Sequence, residues 1–167
     1  MRRLSWVWIF AITSFTVGAA GQQRPAPDDS VFAKYPVSVR FHGPLAKPVL
    51  VDPKARSFRT RIREGAGKGP VFADHYAIAG WGCGSGCIEF AVIDCISGSV
   101  YIFPYSVTQV REEGENLSYR RDSKAIHIIG SLNEENSADR WYLWDGTGLK
   151  LIQEKPAKLF DDSDDTK

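Results

Sequence analysis

An excess of charge of one sign is missing from this sequence: 21 lysines and arginines stand against 20 aspartates and glutamates, a formal net charge of +1. Proteins that hold nucleic acid through its phosphates carry a basic balance or patch, so near-neutrality argues against a nucleic-acid partner. Histidine is scarce, with only His42, His75 and His127. No Walker glycine loop, dinucleotide fingerprint or H-E-x-x-H occurs, which leaves nucleotide cofactors and zinc-protease chemistry without support. No repeat recurs at a fixed period, which argues against a solenoid or an array. Beyond the N-terminus no apolar run approaches the roughly 18 residues that a membrane span needs.

What is present begins with "MRRLSWVWIFAITSFTVGAA", residues 1–20. A basic start at Arg2 and Arg3, an apolar run from Leu4 to Val17 and the small residues Gly18, Ala19 and Ala20 are the parts of a cleavable secretory signal. The expected product is a periplasmic or secreted protein that starts near Gly21 and does not insert in the membrane after cleavage. Losing two arginines leaves 19 basic residues against 20 acidic ones. About 147 mature residues suit one domain with one core. Within it, residues 21–30 read as a flexible leader, 31–160 as a single globular domain and 161–167 as a disordered acidic tail.

Asp52-Pro53 combines a capping residue with proline at the first helical position, so a helix is expected to start there. Ala55, Phe58, Ile62 and Ala66 recur at spacings of three and four on one face, and Gly65, Gly67 and Gly69 are expected to stop it. Arg56, Arg59 and Arg63 gather on a flank that reads as a solvated face. From Phe72 onward the pattern turns to short β-rich runs: "HYAIAGW", "IEFAVID", "SVYIF", "AIHIIGS", "RWYLW" and "LKLI". Turns over Asp94–Gly98, Arg120–Lys124 and Trp144–Gly148 join them as hairpins. "IEFAVID" is apolar on both alternating sets, which marks an inner strand covered on both sides. The expected fold is α+β: an antiparallel β-meander sheet of about six or seven strands with one N-terminal helix packed against it. A small closed β-barrel is the alternative.

"WGCGSGC", Trp81 to Cys87, holds the chemistry-bearing residues closest together. In an exported protein nearby cysteines tend to pair, and Gly84, Ser85 and Gly86 relax the short loop, so a Cys83–Cys87 disulfide is expected. Cys95 is then left over, as a packed small side chain. The expected state has no cofactor and no metal. The rival reading keeps Cys83 and Cys87 as thiolates that bind copper together with His75, since soft thiolate and imidazole ligands suit copper(I). The C-x3-C spacing is similar to that of Sco-type copper chaperones, although the rest of the chain does not look like their thioredoxin fold. Thiol-redox catalysis fits less well, because the second cysteine runs into a strand and not onto a helix N-terminus. A hydrolase with His75 or His127 as base is a third reading; both histidines fall in expected strands, and His42 falls in a loop. Glu89 and Asp94 have odd spacing on one strand, which points them to opposite faces. Trp141 and Leu143 alternate with Tyr142 and Trp144, and core packing is the favoured role for these rings. An exposed set would suit a sugar or protein partner.

The run "VFADHYAIAGWGCGSGCIEFAVID", followed by "SGSVY", resembles an uncharacterised family of small exported bacterial proteins. Its members share F-A-x-H-Y, then W-G-C-G-x-x-C, a D-x-x-x-G hairpin and a later W-D-G hairpin. The likeness covers roughly Arg56 to Ile152. The third position of the first motif is often glycine in that family, where this chain has Asp74, and Cys95 is a second departure. The resemblance implies an exported bacterial origin and no established activity. Taken together, the residues suggest an exported binding or inhibitor-like module of a Gram-negative bacterium. Its partner would be a protein, a small molecule or a glycan. His75, Tyr76, Trp81, Gly84 and Ser85 are the candidate contacts around the glycine-rich loop.

Overall fold

The computed structural model describes residues 29–108 and 116–157. The expected signal segment, residues 21–28 of the leader and the acidic tail lie outside the described residues. Three helices come first, α1 (Asp29–Lys34), α2 (Pro53–Ser57) and α3 (Arg59–Gly67). Eight strands follow: β1 (Tyr76–Gly84), β2 (Cys87–Asp94), β3 (Val100–Ile102), β4 (Val107–Thr108), β5 (Leu117–Tyr119), β6 (Ala125–Leu132), β7 (Ser137–Trp144) and β8 (Leu149–Pro156).

All pairings are antiparallel, and the sheet runs β1-β2-β4-β6-β7-β8, with β3 on β2 and β5 on β6. The α+β meander is therefore what the chain forms. The barrel alternative fails: β1 and β8 end the order and do not pair with each other among the described residues. Two strands went unforeseen. β4 and β5 are 2 and 3 residues long, too short to show alternation. One continuous helix was expected after Asp52, and it is broken. Asp52 caps it as anticipated, accepting from the Lys54 and Ala55 backbone N–H groups at 2.6 and 3.3 Å. At Phe58 the backbone swings to φ −101°, ψ 21°, and its ring stacks on Trp81 at 4.5 Å between centroids. Gly65 does not stop the helix either. It lies inside α3, where an added Cβ would sit 2.5 Å from the Ala79 Cβ, so its bareness lets α3 press onto β1.

The packing follows the strand period of two. In β2, Phe90 and Val92 face a central core with Phe72, Phe103, Val107, Ile126, Ile128, Tyr142 and Trp144. Ala91 and Ile93 face the other way and pack with Ala55, Ile62, Ala66, Ala77, Ala79 and Trp81 beneath the helices. "IEFAVID" is thus an inner strand covered on both sides, as its composition requires. A third cluster joins Phe32 of α1 to Ala125 and Trp141, with the Phe32 and Trp141 rings edge to face at 4.9 Å. The buried Ser123 hydroxyl lies 2.8 Å from the Phe32 carbonyl, to which it donates, and 3.1 Å from that of Tyr35, which ties α1 down. Residues Asp29 and Ser30, expected in the leader, open this helix.

Candidate ligand-binding cleft

The β1–β2 hairpin and the turn before it carry the candidate contacts His75, Tyr76, Trp81, Gly84 and Ser85, but at opposite ends. At its tip Cys83 and Cys87 form a disulfide with Cα atoms 5.2 Å apart. The register shifts there between Gly82 and Gly84, and Gly84, Ser85 and Gly86 are exposed. Trp81 is not a surface contact. It is 6% exposed, lies under Phe58, and donates its indole N–H to Glu89 Oε2 at 2.9 Å. Glu89 also pairs with Lys54 at 2.9 Å, so Glu89 serves the helix side of the sheet and Asp94 the other, as their odd spacing requires.

His75 and Tyr76 lie at the far end of β1, roughly 30 Å from Gly84 and Ser85 at the rise of an extended strand. The proposed ligand set of Cys83, Cys87 and His75 is not assembled: the two sulfurs are bonded to each other and the imidazole is at the other end of the hairpin. His75 also does not belong to the strand. It closes a tight turn in which Ala73 and Asp74 have φ of 37° and 71°, and Phe72 and Tyr76 bridge across it. Left-handed backbone costs a non-glycine residue about 1 kcal/mol or more. The turn is held by long-range bonds. Asp74 Oδ1 accepts from the Arg40 and Phe41 backbone N–H groups at 2.6 and 2.8 Å. Arg121 donates to the Asp74 carbonyl at 3.0 Å and to the Phe41 carbonyl at 2.6 Å.

His75 stands between two carboxylates, Nδ1 at 3.3 Å from Asp74 Oδ2 and Nε2 at 3.7 Å from Asp94 Oδ1. Burial pushes the Asp74 carboxyl up, but the Phe41 and Arg40 N–H groups and His75 outweigh it, leaving Asp74 below its ordinary range. Asp94 is likewise held low: burial raises it, and the Ser97 hydroxyl, the Ile96 and Ser97 N–H groups and His75 more than compensate. Both ring nitrogens of His75 thus face carboxylates. His127 is buried, stacked on Trp141 at 4.3 Å and bonded through Nε2 to Asp139 Oδ1 at 2.8 Å. That is a structural cross-strand role. His42 is exposed in a loop. Cys95 is buried and free, and burial foremost, with the charge of Asp94, raises its thiol pKa. A protonated, buried thiol is a packing group.

Beside this turn the two halves of the sheet part. Between β2–β3 and the β7–β8 hairpin lies a cleft of about 320 Å³, walled by Tyr76, Val92, Val100, Tyr101 and Trp144 and rimmed by Asp94, Ser99 and Thr147. Trp144 stands edge-on to both tyrosines, with centroids 5.2 Å from Tyr76 and 5.4 Å from Tyr101. It is 4% exposed, and its indole N–H is buried with no hydrogen-bond partner. The turns that rim the cleft are built by aspartates. Asp94 Oδ1 accepts from the Ile96 N–H at 2.8 Å and its Oδ2 from the Ser97 hydroxyl at 2.7 Å. Asp145 Oδ1 accepts from the Thr147 N–H and hydroxyl and from the Gly148 N–H, each at 2.9 Å. A larger and more apolar cleft of about 500 Å³ adjoins at Ser99 and Val100, lined by Val49, Val51, Pro53 and Ala55. Its one carboxylate, Asp52, is spent on the helix cap.

Of the candidate contacts, the structure brings Tyr76 to this cleft, with His75 beside it in the preceding turn, buries Trp81 elsewhere, and leaves Gly84 and Ser85 at the tip. Sequence reasoning missed Tyr101 and took Trp144 as core and Asp94 as a turn former. The last two descriptions hold, yet both residues also face the cleft. No family model, no curated protein and no solved structure matches the chain. Among the described residues no helix is long and apolar enough to cross a membrane.

Proposed function

We propose that the chain is a small exported binding module of a bacterial envelope, and that its ligand sits in the cleft between Tyr76, Tyr101 and Trp144. The observation that carries this reading is the cleft itself, concave, with aromatic and aliphatic walls and a few polar groups at its rim, the usual make-up of a small-molecule seat. The secretory-type N-terminus, the Cys83–Cys87 disulfide and the resemblance to exported bacterial proteins support the location. A second reading, an inhibitor-like contact, rests on the exposed disulfide-closed tip, whose stiffness lowers the entropic cost of docking.

Thermal unfolding in the presence of a metabolite and glycan library tests both. Ligand at about a hundred times its Kd adds roughly 2.7 kcal/mol to stability and raises Tm by several degrees. A ligand whose shift disappears in Tyr101→Ala and survives in Ser85→Ala occupies the cleft. The opposite pattern moves recognition to the tip, and a library with no stabilising member contradicts the small-molecule reading.

A further inference from the structure

We infer that the flank of α2 and α3 that carries Arg56, Arg59 and Arg63, with the exposed valines beside it, is a docking surface for an anionic lipid bilayer. The contact is peripheral: side chains meet the headgroups and nothing crosses the membrane. Arg59 and Arg63 line neither cleft, so this surface stands or falls apart from the ligand seat.

The near-neutral chain is electrically lopsided. Between Lys47 and Lys68 stand seven lysines and arginines against two acids, Asp52 and Glu64. Both acids are engaged, Asp52 on the backbone N–H groups of the helix cap and Glu64 with Arg61 at 3.3 Å. Lys54 is in turn answered by Glu89. Arg56, Arg59 and Arg63 are exposed and have no ion-pair partner among the described residues. The Arg56 guanidinium donates to the Val51 and Leu50 carbonyls, and Arg59 donates to the Arg56 carbonyl at 3.4 Å, so these heads run in a chain from residue 51 along the helices. Arg63 follows Arg59 by one turn on the same side. Like charges at i, i+4 are mutually unfavourable, and nothing in the described fold relieves them.

What lies beside the arginines selects the anion. Val51 is 75% exposed and Val49 52%, and with Pro53 they line the open apolar cleft of about 500 Å³. An acidic protein meets such a patch through aromatic anchors and shaped pockets, but the ring nearest the arginines, Phe58, is stacked on Trp81. A single-stranded nucleic acid needs free rings on which to stack its bases, and a duplex would take the arginines and leave the valines in water. A bilayer makes none of these demands. It offers phosphate charge to guanidinium groups at any spacing, and an apolar interior just below the headgroups to aliphatic side chains of any arrangement.

The test is co-sedimentation of the folded protein from residue 21 onward with vesicles of phosphatidylcholine alone and of phosphatidylcholine mixed with phosphatidylglycerol. The expected result is binding to the mixed vesicles and not to the neutral ones, lost at high salt as surface charge is screened. Arg59→Gln together with Arg63→Gln removes two exposed charges, so affinity falls about thirtyfold while the urea midpoint does not drop. Val51→Ser weakens binding as well. Lys150→Gln, at an exposed cation on the far edge strand β8, leaves it unchanged. Equal binding to both kinds of vesicle, or binding to neither, overturns the inference. Mixed-vesicle binding that the double arginine variant or Val51→Ser retains in full overturns the placement. Binding to poly-glutamate or to duplex DNA in place of the mixed vesicles gives the arginines to another polyanion and overturns the bilayer.

Discussion

Replacing Gly65 by alanine is expected to destabilise the protein even though it removes a glycine from a helix. In an open helix the change is favourable by about 1 kcal/mol. Gly65 is not open: the new Cβ would lie 2.5 Å from the Ala79 Cβ, 2.8 Å from its Cα and 3.0 Å from the Ile78 carbonyl oxygen. Two of those three atoms belong to the backbone of β1, so no rotamer relieves the overlap and α3 must lift off the sheet. Overpacking of this kind costs typically 1–3 kcal/mol and occasionally more. After the helix-propensity gain, a net loss of up to about 2 kcal/mol remains, centred on about 1 kcal/mol. Gly67 supplies the internal control. It lies in the same helix, two residues on, with nothing within 4 Å of its added Cβ, so Gly67→Ala is expected to gain about 0.5–1 kcal/mol.

Urea unfolding followed by tryptophan emission reads the difference. With an m-value of about 2 kcal/mol/M, the two midpoints should separate by about 1 M, with the parent between them. A Gly65→Ala midpoint at or above that of the parent would refute the close approach of α3 to β1.

Three further outcomes follow from named bonds. Breaking the disulfide with Cys83→Ser and Cys87→Ser together is expected to cost about 2 kcal/mol, the chain-entropy value for so short a loop. Alkylation of the unreduced parent should label Cys95 alone, and only after unfolding, because that thiol is buried; intact mass reads this directly, and labelling of Cys83 or Cys87 without reductant would contradict the bond. Acid should also destabilise the fold through Asp74 and Asp94, whose carboxyls are held below their ordinary range. Unfolded, such groups titrate near 3.9. As pH falls from about 4 through the lower folded-state values, the unfolded chain binds the extra protons and stability is lost. Asp74→Asn keeps a residue that tolerates φ of 71° and removes one titrating group, so its urea midpoint should fall less steeply between pH 5 and pH 2. An unchanged slope would refute the role given to Asp74.

The hairpins were legible because their signals are local. Asp94 with Gly98, and Asp145 with Gly146, carry their turn chemistry within five residues, and the apolar alternation of β2 stands whatever packs on it. The turn before β1 was not legible. "FADHY" contains no glycine, and positive φ at Ala73 and Asp74 is sustained by Arg40, Phe41 and Arg121, residues far away in sequence. Helix α1 escaped for a related reason. Its 6 residues are too few to stand alone, and Ser123 and Trp141 hold it through contacts that no short window contains. The cleft is the extreme case. Tyr76, Asp94, Tyr101 and Trp144 each had a sufficient local explanation, and only the parting of β3 from the β7–β8 hairpin makes them neighbours.

The central claim is that ligand enters the cleft at Trp144 and not at the disulfide-closed tip. Its most direct test is the indole N–H spectrum of the protein from residue 21 onward labelled with nitrogen-15 tryptophan, titrated with the library member that stabilises it most. Trp81 is already bonded to Glu89 on the opposite face of the sheet, so its cross-peak should hold still while that of Trp144, whose ring lines the cleft, moves with ligand. A spectrum in which Trp144 stays fixed and Trp81, next to the tip, moves with ligand would contradict the account.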